Sequence, residues 1–159
     1  LSTLSLQSGK PLLGKMAFSL TTDGKYLEIP LGQEFQSNPG MALWYYIDDP
    51  SDMLNILGKL NSNAENEIQL KQGWNLVGNP FTLPLSWDDA HVKFTTDGTD
   101  YITLSEAVDA GVLIFTAVYE GTETSGSYKK LLNNGSEMMQ TGSGFWLKVS
   151  KPVRIVLTK

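Results

Sequence analysis

The chain lacks cysteine altogether, and it has one histidine (His91), one arginine (Arg154) and no long apolar run. Without cysteine there is no disulfide, no thiol nucleophile and no Cys-bearing zinc or iron–sulfur site. A single histidine excludes the two-histidine motif of zinc proteases. The longest apolar stretch, residues 112–118, is broken by Thr116, and it falls far short of the roughly 20 residues a membrane-spanning helix needs. Cations are scarce as well: 12 Lys+Arg stand against 17 Asp+Glu, for a net charge of -5. Phosphate backbones and anionic bilayers call for clustered cations. Neither nucleic acid binding nor membrane insertion is therefore expected.

What is present is a globular composition of 159 residues, 41% of them apolar, with 15 glycines. That length can bury one sizeable core, and a single domain over residues 1–159 is the expectation. The first residue is Leu1 rather than methionine, which reads as a chain processed or cut from something longer.

The dominant hydrophobic period is two. Leu4-Ser5-Leu6-Gln7, Met16-Ala17-Phe18-Ser19-Leu20, Tyr26-Leu27-Glu28-Ile29 and Ile68-Gln69-Leu70-Lys71 all alternate, as half-buried strands do. Residues 112–118 and 153–157 are β-branched and mostly apolar, which suits buried strands. Turn chemistry separates them: Asp23-Gly24, Asn38-Pro39-Gly40, Asp97-Gly98 and Asn133-Asn134-Gly135. One short helix is expected over 104–110, because Thr103 and Glu106 have capping-box spacing and Gly111 sits where a helix would stop. Residues 52–60 are compatible with either a strand or a helical turn. Many short strands with frequent turns give the fold class: all-β, an antiparallel β-sandwich with one short helix.

A weak internal repeat bears on the organisation. Thr21-Thr22-Asp23-Gly24 recurs as Thr95-Thr96-Asp97-Gly98. Gly40-Met41-Ala42-Leu43-Trp44, followed by Ile47 and Pro50, parallels Gly144-Phe145-Trp146, followed by Val149 and Pro152. Two readings stand: chance likeness between turn-plus-strand segments, or a duplicated half-sandwich with residues 1–67 as the first half and 68–159 as the second.

The most specific stretch is Gly73-Trp74-Asn75-Leu76-Val77-Gly78-Asn79-Pro80-Phe81, and Gly142-Ser143-Gly144-Phe145-Trp146-Leu147-Lys148-Val149 lies late in the chain. In the first, Trp74 and Leu76 share one face of a strand that Gly78-Asn79-Pro80 ends, since proline donates no ladder hydrogen bond. The pair resembles the opening and closing strands of β-rich modules in secreted and surface proteins of bacteria, over about residues 68–159. Residues 1–67 share only Asn38-Pro39-Gly40-Met41-Ala42-Leu43-Trp44, which looks like a second closing motif. The resemblance implies a non-catalytic surface module outside the cytoplasm, and it carries no catalytic residue over to this chain.

Aromatic residues are the first candidate site. Trp74 and Trp146 are expected in the core, whereas Tyr45, Trp87 and Tyr128 are candidates for stacking on sugar rings. Acidic loops are the second. Asp48, Asp49 and Asp52, and separately Asp97 and Asp100, offer oxygens that calcium could use, and solvated turns explain them equally well. Beyond calcium, no cofactor is expected. Catalysis has little to stand on: Asp88 with Asp89 is a carboxylate pair without a distinguishing spacing, and His91 has acidic neighbours but no nucleophile motif.

Charge is unevenly distributed. Residues 86–127 carry eight acids and one lysine, whereas residues 128–159 carry six cations and one acid. Such segregation pairs neighbouring strands within one molecule or joins copies head to tail. The uncharged first strand, with Leu1, Leu4 and Leu6, is a candidate assembly strand that would add to a neighbour's sheet, as in donor-strand complementation. The functional expectation is a non-enzymatic extracellular or cell-surface module, structural or adhesive, associating with itself or with other surface proteins as a filament subunit. The alternative is a carbohydrate-binding module of a larger secreted enzyme, with polysaccharide as its partner.

Overall fold

The computed structural model describes residues 2–6, 17–20, 25–29, 34–35, 38–45, 54–57, 61–121, 126–131 and 135–159. Two compact units emerge. The first is Leu1–Asn38 with Leu43–Leu60, and the second is Pro39–Ala42 with Asn61–Lys159. The 68–159 module expected from the motifs falls inside the second unit.

The first unit contains β1 (Ser2–Leu6), β2 (Ala17–Leu20), β3 (Tyr26–Ile29), β4 (Glu34–Phe35), β5 (Trp44–Tyr45) and β6 (Leu54–Leu57). They form two three-stranded antiparallel sheets, ordered β4-β1-β6 and β3-β2-β5. The undecided stretch 52–60 thus contributes a strand, β6, which pairs with β1 from Thr3↔Leu57 to Leu6↔Leu54. The Asp23-Gly24 turn lies outside the described residues, as do Asn133 and Asn134.

The second unit continues with β7 (Glu65–Leu70), β8 (Gly73–Gly78), β9 (Leu85–Ser86), β10 (Val92–Thr95), β11 (Tyr101–Thr103), α1 (Leu104–Asp109), β12 (Leu113–Gly121), β13 (Gly126–Lys130), β14 (Met138–Met139), β15 (Gly144–Val149) and β16 (Val153–Thr158). Its strands build two four-stranded antiparallel sheets, β11-β10-β16-β7 and β13-β12-β15-β8, and a small β14-β9 ladder. Both large sheets contribute to one core. Leu70, Phe94, Ile155 and Leu157 come from the first, and Val77, Leu113, Phe145, Leu147 and Val149 from the second. This is the all-β sandwich the alternation predicts, with one short helix. Trp87 fills its middle at 1% exposure. Aromatic and aliphatic burial on this scale is the main favourable term in a chain that has no disulfides.

Helix α1 is defined at both ends as its sequence requires. Thr103 Oγ1 accepts from the Glu106 N–H at 3.2 Å, and the Thr103 N–H donates to Glu106 Oε2 at 2.8 Å, completing the capping box. At the other end Gly111 takes φ +65°, and the N–H groups of Gly111 and Val112 bond to Val108 and Ala107 carbonyls. Leu104 and Ala107 face the core.

The two asparagines of the opening motif serve the backbone. Asn75 Oδ1 accepts from the Lys71 N–H at 3.0 Å while its Nδ2 donates to the Lys71 and Gly73 carbonyls at 2.9 and 3.1 Å. It thereby closes the turn that carries the chain from one sheet to the other. Asn79 Nδ2 donates to the carbonyls of Leu83 at 2.9 Å and Met139 at 2.8 Å, and its Oδ1 accepts from the Phe81 N–H. Buried or half-buried backbone groups left by the irregular Pro80 turn are satisfied this way.

Residues 39–42 and β15 both lie against β8. Phe145 pairs with Val77 on one edge, and Met41 bridges Val77 on the other. The Gly78 N–H donates to the Gly40 carbonyl at 2.7 Å. The approach is close enough that a Cβ on Gly78 would stand 2.9 Å from the Met41 carbonyl oxygen, so only glycine fits without a shift.

Candidate functional site

The sheet β13-β12-β15-β8 has an inner and an outer face, set by alternation along its strands. On β15, Phe145, Leu147 and Val149 are buried, which places Gly144, Trp146 and Lys148 outward. The register then assigns the neighbours. Lys148 stands opposite Trp74 on one side and Phe115 on the other. Trp146 stands between Leu76 and Ala117, and Ala117 stands opposite Lys130. A register shift between Leu113 and Phe115 brings Phe115 onto this face while Leu113 stays in the core, the re-aiming that a β-bulge provides.

The aromatic rings on this face touch one another. Trp74 and Phe115 meet edge to face with centroids 5.7 Å apart, across the strand that lies between them. Trp74 and Trp146 meet at 6.2 Å and 89°. The Lys148 ammonium lies 5.6 Å from the centre of the Trp74 ring, a cation–π contact. Trp74 keeps 44% of its surface exposed and Tyr128 keeps 55%. Trp146 Nε1 is shielded from solvent and has no acceptor among the described residues.

The aromatic expectations are therefore largely exchanged. Trp74 and Trp146, expected in the core, lie on the outer face. Trp87, a candidate stacking surface, is instead packed in the core cluster, nearly all of its surface buried. Tyr128 is exposed on β13 as a stacking residue must be. Tyr45 lies on β5, paired with Ala17, and thus in the other unit from Tyr128. Alternation does carry a signal for this site: Trp74 with Leu76, and Trp146 with Lys148, each share a face. The lysine marks that face as the wet one.

A cleft of about 90 Å³ opens beside Phe115, lined by Trp87, Val108, Ile114, Phe115, Lys130 and Leu131. Small-molecule sites run to roughly 300–1,000 Å³, so this notch suits a single side group. Ile114 and Val108 at its rim are exposed.

The acidic and histidine candidates are used locally. Asp97 Oδ1 accepts from the N–H groups of Thr99 at 2.8 Å and Asp100 at 3.1 Å, and from Thr95 Oγ1. Those backbone donors hold its carboxyl well below the usual carboxylate range. Asp97 and Asp100 thus form an Asx-type turn. Asp48, Asp49 and Asp52 lie outside the described residues. Among the described residues no group of three or more His, Asp or Glu side chains is gathered to hold a metal ion.

Asp88 Oδ1 lies 2.6 Å from His91 Nδ1 and accepts from the N–H groups of Ala90 and His91. Burial pushes this carboxyl up, but the hydrogen bonds to His91 and Ala90 outweigh it and lower it overall. Its neighbour Asp89 accepts from the Ser105 N–H at 2.7 Å. The two carboxylates proposed as a pair are thus each engaged with backbone groups.

The first strand is used within its own sheet. β1, the candidate assembly strand, runs between β4 and β6, pairing with β6 over Thr3–Leu6 and with β4 at Ser2 and Thr3. Leu4 and Leu6 lie opposite Ile56 and Leu54 in that ladder, and Leu1 lies outside the described residues. Among the described residues no helix is long and apolar enough to cross a membrane. No protein-family model, curated protein or solved structure matches this chain.

Proposed function

We propose that the chain is a non-catalytic adhesive module of an extracellular or cell-surface protein, and that it holds a polysaccharide against the outer face of β8, β15, β12 and β13. The observation that carries this reading is Trp74, the largest side chain type, left 44% exposed on a sheet face and braced by Phe115 and Trp146. A clustered, exposed aromatic patch with polar neighbours is the usual mark of a contact surface. Bracing also favours binding, because rings already fixed by edge-to-face contacts lose little rotamer freedom when a partner docks. An extended polymer suits an open sheet face better than it suits the small cleft beside Phe115.

The test is retention of the purified chain on a panel of immobilised neutral and acidic polysaccharides, with the Trp74→Ala variant beside it. Removing a central aromatic anchor is expected to weaken retention about tenfold or more, with the circular dichroism and unfolding midpoint nearly unchanged. The reading fails if wild type is retained by none of the polymers, or if Trp74→Ala is retained as well as wild type.

A further inference from the structure

The outer face differs in charge from the rest of the molecule. By alternation its outward positions are Trp74, Leu76, Phe115, Ala117, Tyr128, Lys130, Trp146 and Lys148, with Gly78 and Gly144; of these Ala117 is buried, and Ala42 lies against the two glycines. Two of these are lysines and none is acidic, in a chain of net charge -5. Among the described residues, Glu65 and Glu67 lie on β7 of the other sheet, Asp97 and Asp100 in a turn, Glu106 and Asp109 on the helix, and Glu120 at the alternate register of β12, opposite Ser127. Lys129 and Arg154, by contrast, are each tied to a glutamate, Glu137 and Glu67. Lys148 and Lys130 make no ion pair among the described residues.

Register gives the layout. Lys148 on β15 flanks Phe115, Lys130 on β13 flanks Ala117, and Phe115 and Ala117 are successive outward positions of β12. The backbone positions of the two lysines therefore stand diagonally, two strands apart, or roughly 10 Å in the pairing direction, and the Lys148 ammonium leans over Trp74. A polymer lying over Phe115 and Trp74 would cross Lys148, which stands between them, and would meet Lys130 one strand beyond Phe115. Neutral sugars need no such pair of cations, and desolvating two unpaired ammonium groups under a neutral polymer is unfavourable.

We infer that the polysaccharide held here is an acidic one, with carboxylate or sulfate groups paired to Lys148 and Lys130 while its sugar rings rest on Phe115 and Trp74. This rests on the adhesive reading above and adds the ligand class to it. Both charges are partly exposed, so each contributes modestly and in a salt-dependent way.

The experiment compares polygalacturonate, the same polymer with its carboxyls methyl-esterified, heparin, neutral cellulose and a single-stranded oligonucleotide as ligands for the full chain. The expected result is binding to polygalacturonate or heparin that falls several-fold between 50 and 200 mM salt. Esterification should weaken binding to the uronate polymer by about the combined loss of the two lysine variants. Lys130→Gln and Lys148→Gln should each weaken binding about two- to fivefold. Lys148→Arg should keep wild-type binding, which separates lost charge from a loosened Trp74 ring. Trp74-dependent binding that ignores salt, esterification and both lysine variants would overturn the acidic preference and leave the adhesive reading standing. Equal or tighter binding of the oligonucleotide would overturn polysaccharide as the occupant. Retention by no polymer would overturn both.

Discussion

Replacing Asn79 with aspartate tests how the opening motif works, because the change is nearly isosteric and alters only which atoms donate. The amide Nδ2 now donates to two carbonyls, those of Leu83 and Met139, and Oδ1 accepts from Phe81. In Asn79→Asp the acceptor survives, but both donations are lost and a charged oxygen replaces the nitrogen 2.8–2.9 Å from two carbonyl oxygens. Two hydrogen bonds at about 1 kcal/mol each, plus repulsion at carbonyls left unpaired, give a destabilisation of about 2–4 kcal/mol at neutral pH. The loss should depend on pH. A carboxyl facing carbonyl oxygens binds its proton more tightly folded than unfolded, where its pKa is about 3.9. The folded value is therefore raised, and the variant regains stability as pH falls through it toward the unfolded value. Asn79→Ala should lose a similar amount without that recovery. Guanidinium unfolding at several pH values, followed by tryptophan fluorescence and circular dichroism, measures both effects. An Asn79→Asp variant within about 0.5 kcal/mol of wild type at pH 7, the range of an ordinary surface change, would refute the clamp.

Two further predictions concern the glycine contacts and the acid limb of stability. Gly78→Ala puts a Cβ against the Met41 carbonyl at 2.9 Å and should cost about 1–3 kcal/mol, more than the roughly 0.4–1 kcal/mol that a Gly-to-Ala change contributes through the unfolded chain. Ala42→Gly should relieve Gly144→Ala, whose Cβ meets the Ala42 Cβ at 3.2 Å, far more than it relieves Gly78→Ala. Equal coupling in the two double-mutant cycles would contradict that geometry. The carboxyls of Asp97 and Asp88 are both lowered in the folded chain, so they stabilise it above the unfolded pKa near 4 and lose that effect as pH falls. Asp97→Asn keeps an acceptor oxygen but no titration, and it should flatten the acid limb of the Tm-against-pH curve. Parallel curves for variant and wild type would sink this.

The sequence made local features legible wherever one rule governed them. The helix at Leu104–Asp109 is written in Thr103, Glu106 and Gly111, whose capping roles depend only on neighbours a turn away. The sandwich was readable from alternation, because a period of two leaves one face to bury. The strand Leu54–Leu57 was not readable, since its place depends on β1, some fifty residues earlier in the chain. Trp87 follows the two-residue strand β9, and the alternation Leu85-Ser86-Trp87 that puts it on the buried side is too short to stand out in the sequence. Its N–H bonds to the Glu137 carbonyl and its ring packs in the core cluster, contacts far apart in sequence that local pattern does not encode.

The inversion at Trp74 has a definite cause, and it bears on function. Strand β8 offers two faces, Trp74 with Leu76 or Asn75 with Val77, and apolar area alone would bury the first. Its partner β15 decides otherwise. Lys148 shares a face with Trp146 and Gly144, so burying that face would bury an ammonium group, and Phe145, Leu147 and Val149 go inward instead. Pairing Phe145 with Val77 and Leu147 with Asn75 then sends Trp74 out beside Lys148. A one-residue slip of β8 would bury Trp74, yet it would break the Asn75 clamp on Lys71 and Gly73 and the Gly78 bond to Gly40. Asn75 can sit at 8% exposure only because its amide is fully used by that turn. The polar residues of the motif therefore hold a register in which the aromatic ones face water, against the preference of the hydrophobic effect. Under the adhesive reading proposed above, this outward aromatic face is the surface that a polysaccharide would cover.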